Sequence, residues 1–250
     1  MRPDVRVFAE LDGLSHALAE MFVAEAQQAI SSTGRCTVAL SGGSTPRRLY
    51  RLLAFGYGER LAWSAVQLFM GDERYVPPDD ALSNFHMVQE TLVDHLPIPP
   101  ENVHPMPTGF PAPAEAAAAY EDALRAHFSG EWPRFDVVFL GMGADGHTAS
   151  LFPYTPSLEQ TTRWVVATIA PSEPVRRLSL TLPVFNHARH VHFLVAGPGK
   201  ADALREVLMH SEASTCTAAR IHPVDGHVTW WVDEAAAAAV DRSLLRSAPR

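Results

Sequence analysis

FDVVFLGMGADGHTASLFP, residues 135–153, decides how the chain is read. An apolar run ends in Gly141, Gly143 and Gly146, which fit G-x-G-x-x-G. Between a strand and a helix that spacing marks a dinucleotide site, the glycines bringing backbone up to a pyrophosphate. Three features oppose this reading. Asp145 lies inside the loop, where an anion would sit. Pro153 interrupts any following helix seven residues after Gly146. The region where an acidic residue should hold a ribose reads WVVATIA, 164–170, with Glu173 beyond it. What remains is a strand that ends in a loop carrying Asp145 and His147. A histidine can act as general base near neutral pH, and a carboxylate beside it can orient the ring. The plainer reading of these two residues is a capping aspartate and a buried histidine.

Working outward, short apolar runs alternate with amphipathic stretches. Helices are expected over 14–31, 45–56, 83–96, 114–128, 201–209 and 233–245. Strands are expected at CTVAL (36–40), VQLFMGDER (66–74), FDVVFL, WVVATIA, RLSLTLP (177–183), HVHFLVAG (190–197) and HVTWWVD (227–233). Most strands are apolar throughout, as strands covered on both faces are. RLSLTLP alternates, which suits an edge or antiparallel strand. The expectation is an α/β fold: one domain over 1–250 with a mostly parallel, Rossmann-like sheet and helices on both faces. The proline-rich stretch 96–113 reads as a surface excursion, and the tail SAPR, 247–250, as a frayed end.

In such sheets ligands bind at the carboxyl ends of the strands, and other motifs fall there. LSGGSTP, 40–46, follows CTVAL. Gly42 and Gly43 permit close approach, Ser44 and Thr45 add hydroxyls, and a helix N-terminus follows, so the loop can cradle an anion. The alternative is a tight turn with a Ser/Thr helix cap. In MGDERY, 70–75, Asp72, Glu73 and Arg74 follow a buried strand; Arg74 suits a phosphate, while each charge alone also fits a solvated turn. Arg176 and Arg177 precede LSLTLP, and Lys200 ends AGPGK before a helix. Ser83 or Asn84 caps the helix at 83. HARHVH places His190 and His192 on one strand face with no carboxylate partner apparent, so a metal pair is not expected.

Composition narrows the partners. The chain has 250 residues and a formal net charge of −8. An acidic chain is a poor match for nucleic acid or an anionic membrane, and an anionic substrate needs local cations. Two cysteines without C-x-x-C spacing read as buried thiols. No stretch approaches the ~18 apolar residues of a span, and the N-terminus has no signal core, so a cytoplasmic protein is expected.

LSGGSTP, GDERYVP, SNFHM, FDVVFLGMGADGHTASLFP, RLSLTLP and FLVAGPGK together resemble, in the same order, the blocks of the 6-phosphogluconolactonases of the pentose phosphate pathway. The resemblance runs from about residue 8 to 240. It implies the α/β fold shared with glucosamine-6-phosphate deaminase and ribose-5-phosphate isomerase. It also implies a phosphorylated six-membered lactone as substrate. The loop Gly42, Gly43, Ser44, Thr45, with Arg74, Arg177 and Lys200, would hold the phosphate and sugar. His147 would activate a water, Asp145 would position His147, and Asp72 would assist it or bind a sugar hydroxyl. No metal or cofactor is implied, and a monomer is expected. In the related deaminases a catalytic glutamate falls where this chain has Phe152, which cannot move a proton. A non-catalytic sugar-phosphate sensor is the remaining alternative, but such regulators carry a DNA-binding extension that is absent here.

Overall fold

The computed structural model describes residues 3–209 and 215–247. Most of the tail expected to fray, 248–250, lies outside them. In chain order the elements are β1 (Asp4–Phe8), α1 (Leu11–Thr33), β2 (Cys36–Leu40), α2 (Ser44–Gly56), β3 (Val66–Met70), β4 (Asp72–Arg74), α3 (Asn84–Thr91), β5 (Val103–His104) and α4 (Pro113–His127). There follow β6 (Val137–Gly141), β7 (Val165–Ile169), β8 (Arg176–Leu180), α5 (Leu182–Phe185), β9 (His190–Val195), α6 (Ala201–Met209), β10 (His227–Asp233), α7 (Glu234–Ala237) and β11 (Arg246–Ser247).

The main sheet runs β11-β1-β10-β9-β6-β2-β3-β5, and every pair in it is parallel. Its central strands explain their own composition. All five residues of β2 are buried, as are four of five in β6, so water reaches neither face and helices cover both. Phe22 of α1 and Tyr50 of α2 each pack against Phe139 of β6, with centroids 5.4 and 6.4 Å apart. A second sheet, β4-β8-β7, is antiparallel. The alternating RLSLTLP supplies its central strand, so the antiparallel expectation holds. The run 66–74 breaks at Gly71, and β3 and β4 enter different sheets. A side chain at that break would be tight: a Cβ on Gly71 would lie 3.3 Å from the Leu40 carbonyl.

Strand order fixes where a ligand can sit. From β2 the chain moves outward to β3 and β5. It then returns to the other side of β2 as β6 and continues away through β9 and β10. The winding reverses between β2 and β6, and the loops leaving their carboxyl ends diverge there to open a crevice. Those loops carry Gly42–Thr45 and Met142–His147.

The structure departs from the sequence expectations in several places. β1 is a full member of the sheet, between β10 and β11, although its five residues carry little pattern. The helix expected over 233–245 is only α7, because its alanines end in turns before a 3-10 turn at Arg242–Leu244. The expected loop 96–113 contributes β5 as an edge strand. The helix at 83–96 ends at Thr91, before a 3-10 turn. His190 and His192 do have a carboxylate partner, Glu25 of α1, at 3.3 and 2.7 Å. Trp231 Nε1 donates to His192 Nδ1 at 3.1 Å. An indole can only donate, so His192 carries its proton on Nε2 and donates it to Glu25.

Candidate active site

A cleft of about 320 Å³ opens at the winding reversal. Of the sequence-derived residues, Gly42, Gly43, Ser44, Thr45, Asp72, Arg74, His147 and Lys200 line it. Asp145 stands behind His147, to which it is hydrogen-bonded, and Arg177 is the ladder partner of Arg74 without lining the cleft itself.

The glycine loop after β2 follows from local backbone chemistry. Gly43 has φ 106° and is the N-cap of α2, with no side-chain cap bond. The Ser/Thr capping alternative is therefore not what the hydroxyls do. Ser44 and Thr45 fall in the first helical turn, where backbone N–H groups have no partner within the helix. Their position and the helix dipole favour an anion in the cleft.

The loop after β6 presents the histidine. No α-helix lies between β6 and β7, only a 3-10 turn at Pro156–Glu159, which removes the dinucleotide reading. The loop folds back on itself: Gly143 N donates to the His147 carbonyl at 2.8 Å, and Gly146 N to the Gly143 carbonyl at 3.2 Å. Thr148 Oγ1 donates to the Gly141 carbonyl at 2.8 Å. Thr217 Oγ1 anchors the far side, accepting from Thr148 N and donating to the Leu151 carbonyl. Ala149, which lines the cleft, is held at φ 48° by these ties. Asp145 Oδ1 accepts from His147 Nδ1 at 2.6 Å and from His147 N at 3.2 Å. A carboxylate partner on Nδ1 puts the proton there and leaves Nε2 with its lone pair. The ring packs against Phe152 in a tilted arrangement, with centroids 4.5 Å apart and planes at 43°. Partial burial alone would raise the Asp145 carboxyl, but the hydrogen bonds from His147 hold it below its ordinary range.

Asp72 and Arg74 come from β4, so the small sheet forms one wall. Ser150 Oγ, from the histidine loop, donates to Asp72 Oδ2 at 2.6 Å. Asn84 Nδ2 donates to the Asp72 carbonyl at 3.1 Å and to Oδ1 at 3.4 Å. Glu73 faces the other way. It accepts from the N–H groups of Arg74, Asn84 and Phe85, each at 2.7 Å, and from Ser83 Oγ at 3.1 Å. It is thus a clamp joining β4 to the start of α3. Burial pushes its carboxyl up, and the backbone hydrogen bonds oppose that rise.

The cations are concentrated here against an acidic whole. Arg74 and Arg177 are directly paired across β4 and β8. Like charges opposite one another repel, and the nearby carboxylates of Asp72, Glu73 and Glu173 offset part of that repulsion at Arg177. Arg177 is 7 % exposed, and its Nε and Nη1 have no hydrogen-bond partner. Burial, and then the Arg74 charge, push its guanidinium below the usual range. Burial likewise lowers the Lys200 ammonium, with Asp145 pulling the other way.

Sequence reading missed Asn84 and Ser150 as site residues. SNFHM offered two polar residues for one cap, and Ser83 takes it by accepting from His86 N at 3.1 Å. A second polar side chain in that first turn was the available signal for Asn84. Nothing local marks Ser150, whose partner is distant in sequence. Among the described residues, no group of three or more His, Cys, Asp or Glu side chains is arranged to hold a metal ion. Also among them, no helix is long and apolar enough to cross a membrane.

Residues 9–230 match the family described as glucosamine-6-phosphate isomerases/6-phosphogluconolactonase. A 6-phosphogluconolactonase of Nostoc sp. is 39 % identical over 241 residues, 95 % of this chain and 98 % of that protein. One from Synechocystis sp. is 41 % identical over 212 residues, 84 % of this chain and 86 % of that protein. The solved structure of 6-phosphogluconolactonase from Trypanosoma cruzi superposes with a TM-score of 0.84 at 30 % identity. That match covers 94 % of this chain and 96 % of the other.

Proposed function

Because the chain belongs to the family of glucosamine-6-phosphate isomerases and 6-phosphogluconolactonases, we infer that it hydrolyses 6-phospho-D-glucono-1,5-lactone to 6-phosphogluconate. This is the lactone-opening step of the oxidative pentose phosphate pathway. One observation carries the assignment to this cleft: a histidine with Nδ1 held by a carboxylate and Nε2 unencumbered, facing a loop built for an anion.

His147 Nε2 takes a proton from a water, whose oxygen attacks the lactone carbonyl. The carbonyl π electrons move to oxygen, and the tetrahedral oxyanion is met by backbone N–H groups of a glycine loop. The ring C–O bond then breaks as the imidazolium returns its proton to the departing ring oxygen. Asp145 keeps the ring oriented and stabilises its cationic form. A positioned base contributes about 10²–10⁴-fold and an oxyanion donor about 10²–10³-fold. An activated lactone needs no covalent nucleophile, metal or cofactor beyond these.

Gly42, Gly43, Ser44, Thr45, Arg74, Arg177 and Lys200 hold the phosphate and sugar. Arg177 acts as the buried cation behind Arg74. Asp72 binds a sugar hydroxyl or assists His147. Phe152 supports the lactonase over a deaminase, because an apolar ring packs on His147 where a deaminase has a proton-moving glutamate. We further propose that the chain works as one domain, as a monomer, in the cytoplasm.

The test follows lactone loss above its spontaneous rate, with 6-phosphogluconolactone generated in situ by glucose-6-phosphate dehydrogenase. Acceleration by wild type, with His147→Ala slower by at least about 10²-fold in kcat, is expected. A wild type that binds the sugar phosphate without turnover would make the chain a sensor. Full turnover by His147→Ala would remove the base assignment.

A further inference from the structure

The cleft lining contains a buried acceptor that no donor satisfies. Asn84 is 2 % exposed, and almost everything it offers is already engaged. Its backbone N–H is donated to Glu73. Its Nδ2 is donated to the Asp72 carbonyl and carboxylate. Those two groups only accept, so the nitrogen end of the amide must face Asp72 and Oδ1 must point away. Oδ1 lies against Gly42, in the space that a Cβ there would fill, and receives no hydrogen bond. Ser41 repeats the pattern on the preceding residue. Tyr50 satisfies its backbone twice, accepting from Ser41 N at 3.0 Å and donating to Ser41 O at 2.9 Å. Ser41 Oγ is nonetheless buried and unpartnered. Two polar atoms beside Gly42 are therefore withdrawn from water without compensation, in residues that line the cleft.

Such atoms are destabilising and rare in folded proteins. The fold does not need the Asn84 oxygen. Ser83 caps α3, Glu73 holds its start, and Nδ2 alone serves Asp72. An amide oxygen would repel the phosphate, so its complement is a hydroxyl. We propose that Asn84 Oδ1 accepts a hydrogen bond from a ring hydroxyl of the bound sugar lactone, making Asn84 a residue that selects polyhydroxylated over deoxygenated lactones. The proposal rests on the lactonase reading of the same cleft. Ser41 Oγ, able to donate or accept, supports the same hydroxylated edge.

The experiment measures kcat/KM for 6-phosphogluconolactone and its 2-deoxy, 3-deoxy and 4-deoxy analogues, with wild type and Asn84→Ala. Thermal melts and binding of inorganic phosphate check that the variant is folded. Wild type should lose about tenfold on one analogue, the worth of one buried hydrogen bond. In Asn84→Ala that gap should shrink below about threefold while the other two analogues track the parent. Wild type hydrolysing all three analogues as well as the parent overturns the proposal without any variant. An Asn84→Ala protein slowed by one common factor on all four lactones does so too, because that reports a structural role. Failure of wild type to accelerate the parent lactone overturns the lactonase reading instead, and is distinguishable from both.

Discussion

His147 is oriented by a carboxylate only two residues away, and the intervening Gly146 makes that possible. Gly146 has φ 76°, and a Cβ there would run into Cys216. Gly143 is constrained more directly still: a Cβ on it would overlap His147 Nδ1 and Asp145 Oδ1. Gly143→Ala should therefore displace the ring and lower kcat by about 10²-fold, since a misplacement of about 1 Å suffices for that. Substrate affinity should change little, and steady-state kinetics separates the two. Short-range chemistry of this kind was legible in ADGH. Ser150 was not, because its significance comes from Asp72, which reaches the same place through another sheet. No window of sequence contains that meeting.

Among elements, the contact of α4 with the three-stranded sheet depends on Glu121. Its side chain is 6 % exposed and accepts from Arg125 at 2.8 Å, Arg163 at 2.9 Å, and the N–H groups of Trp164 and Val165. Burial alone would raise this carboxyl, but those donors hold it below its ordinary 4.5. A depressed carboxyl contributes stability that is fully present above its unfolded pKa and is lost as pH falls through the lower, folded value. Urea unfolding should thus show wild type more stable than Glu121→Gln at pH 7, with the difference shrinking below pH 4.5. Equal stabilities at pH 7 would show that the carboxylate does not hold the interface. The element pattern that reveals such contacts was readable where strands are buried on both faces, as in CTVAL. It was not readable in DVRVF, where only Val5 is buried, nor in the alanine-rich end, where helix propensity yields to turns.

For the molecule as a whole, an acidic chain gathers Arg74, Arg177 and Lys200 at one crevice. Asp72, Glu73 and Asp145 offset these cations only in part, so an anionic ligand bound among them should stabilise the entire fold. By mass action 6-phosphogluconate at about 100 times its Kd adds about 2.7 kcal/mol, visible as a raised Tm. Arg74→Ala should abolish most of this rise, read against the variant's own Tm without ligand, because that Tm also loses the Arg74 Nη1 bond to the Leu82 carbonyl at 2.7 Å. An undiminished rise in the variant would move the phosphate elsewhere. The crevice itself was foreseeable as a strand-end site. Its position between β2 and β6 was not, since strand order depends on crossovers that leave no local mark.

The place of β1 has a consequence for synthesis. Its partners in the sheet are β10 and β11, both more than 200 residues further along the chain. On a ribosome β1 emerges long before either exists, so its backbone ladder and the adjoining edge of the sheet can close only after β10 has left the exit tunnel. Translation thus delivers the middle of the sheet, with both crevice loops, ahead of its margin, and the last strands seal what the earliest one began.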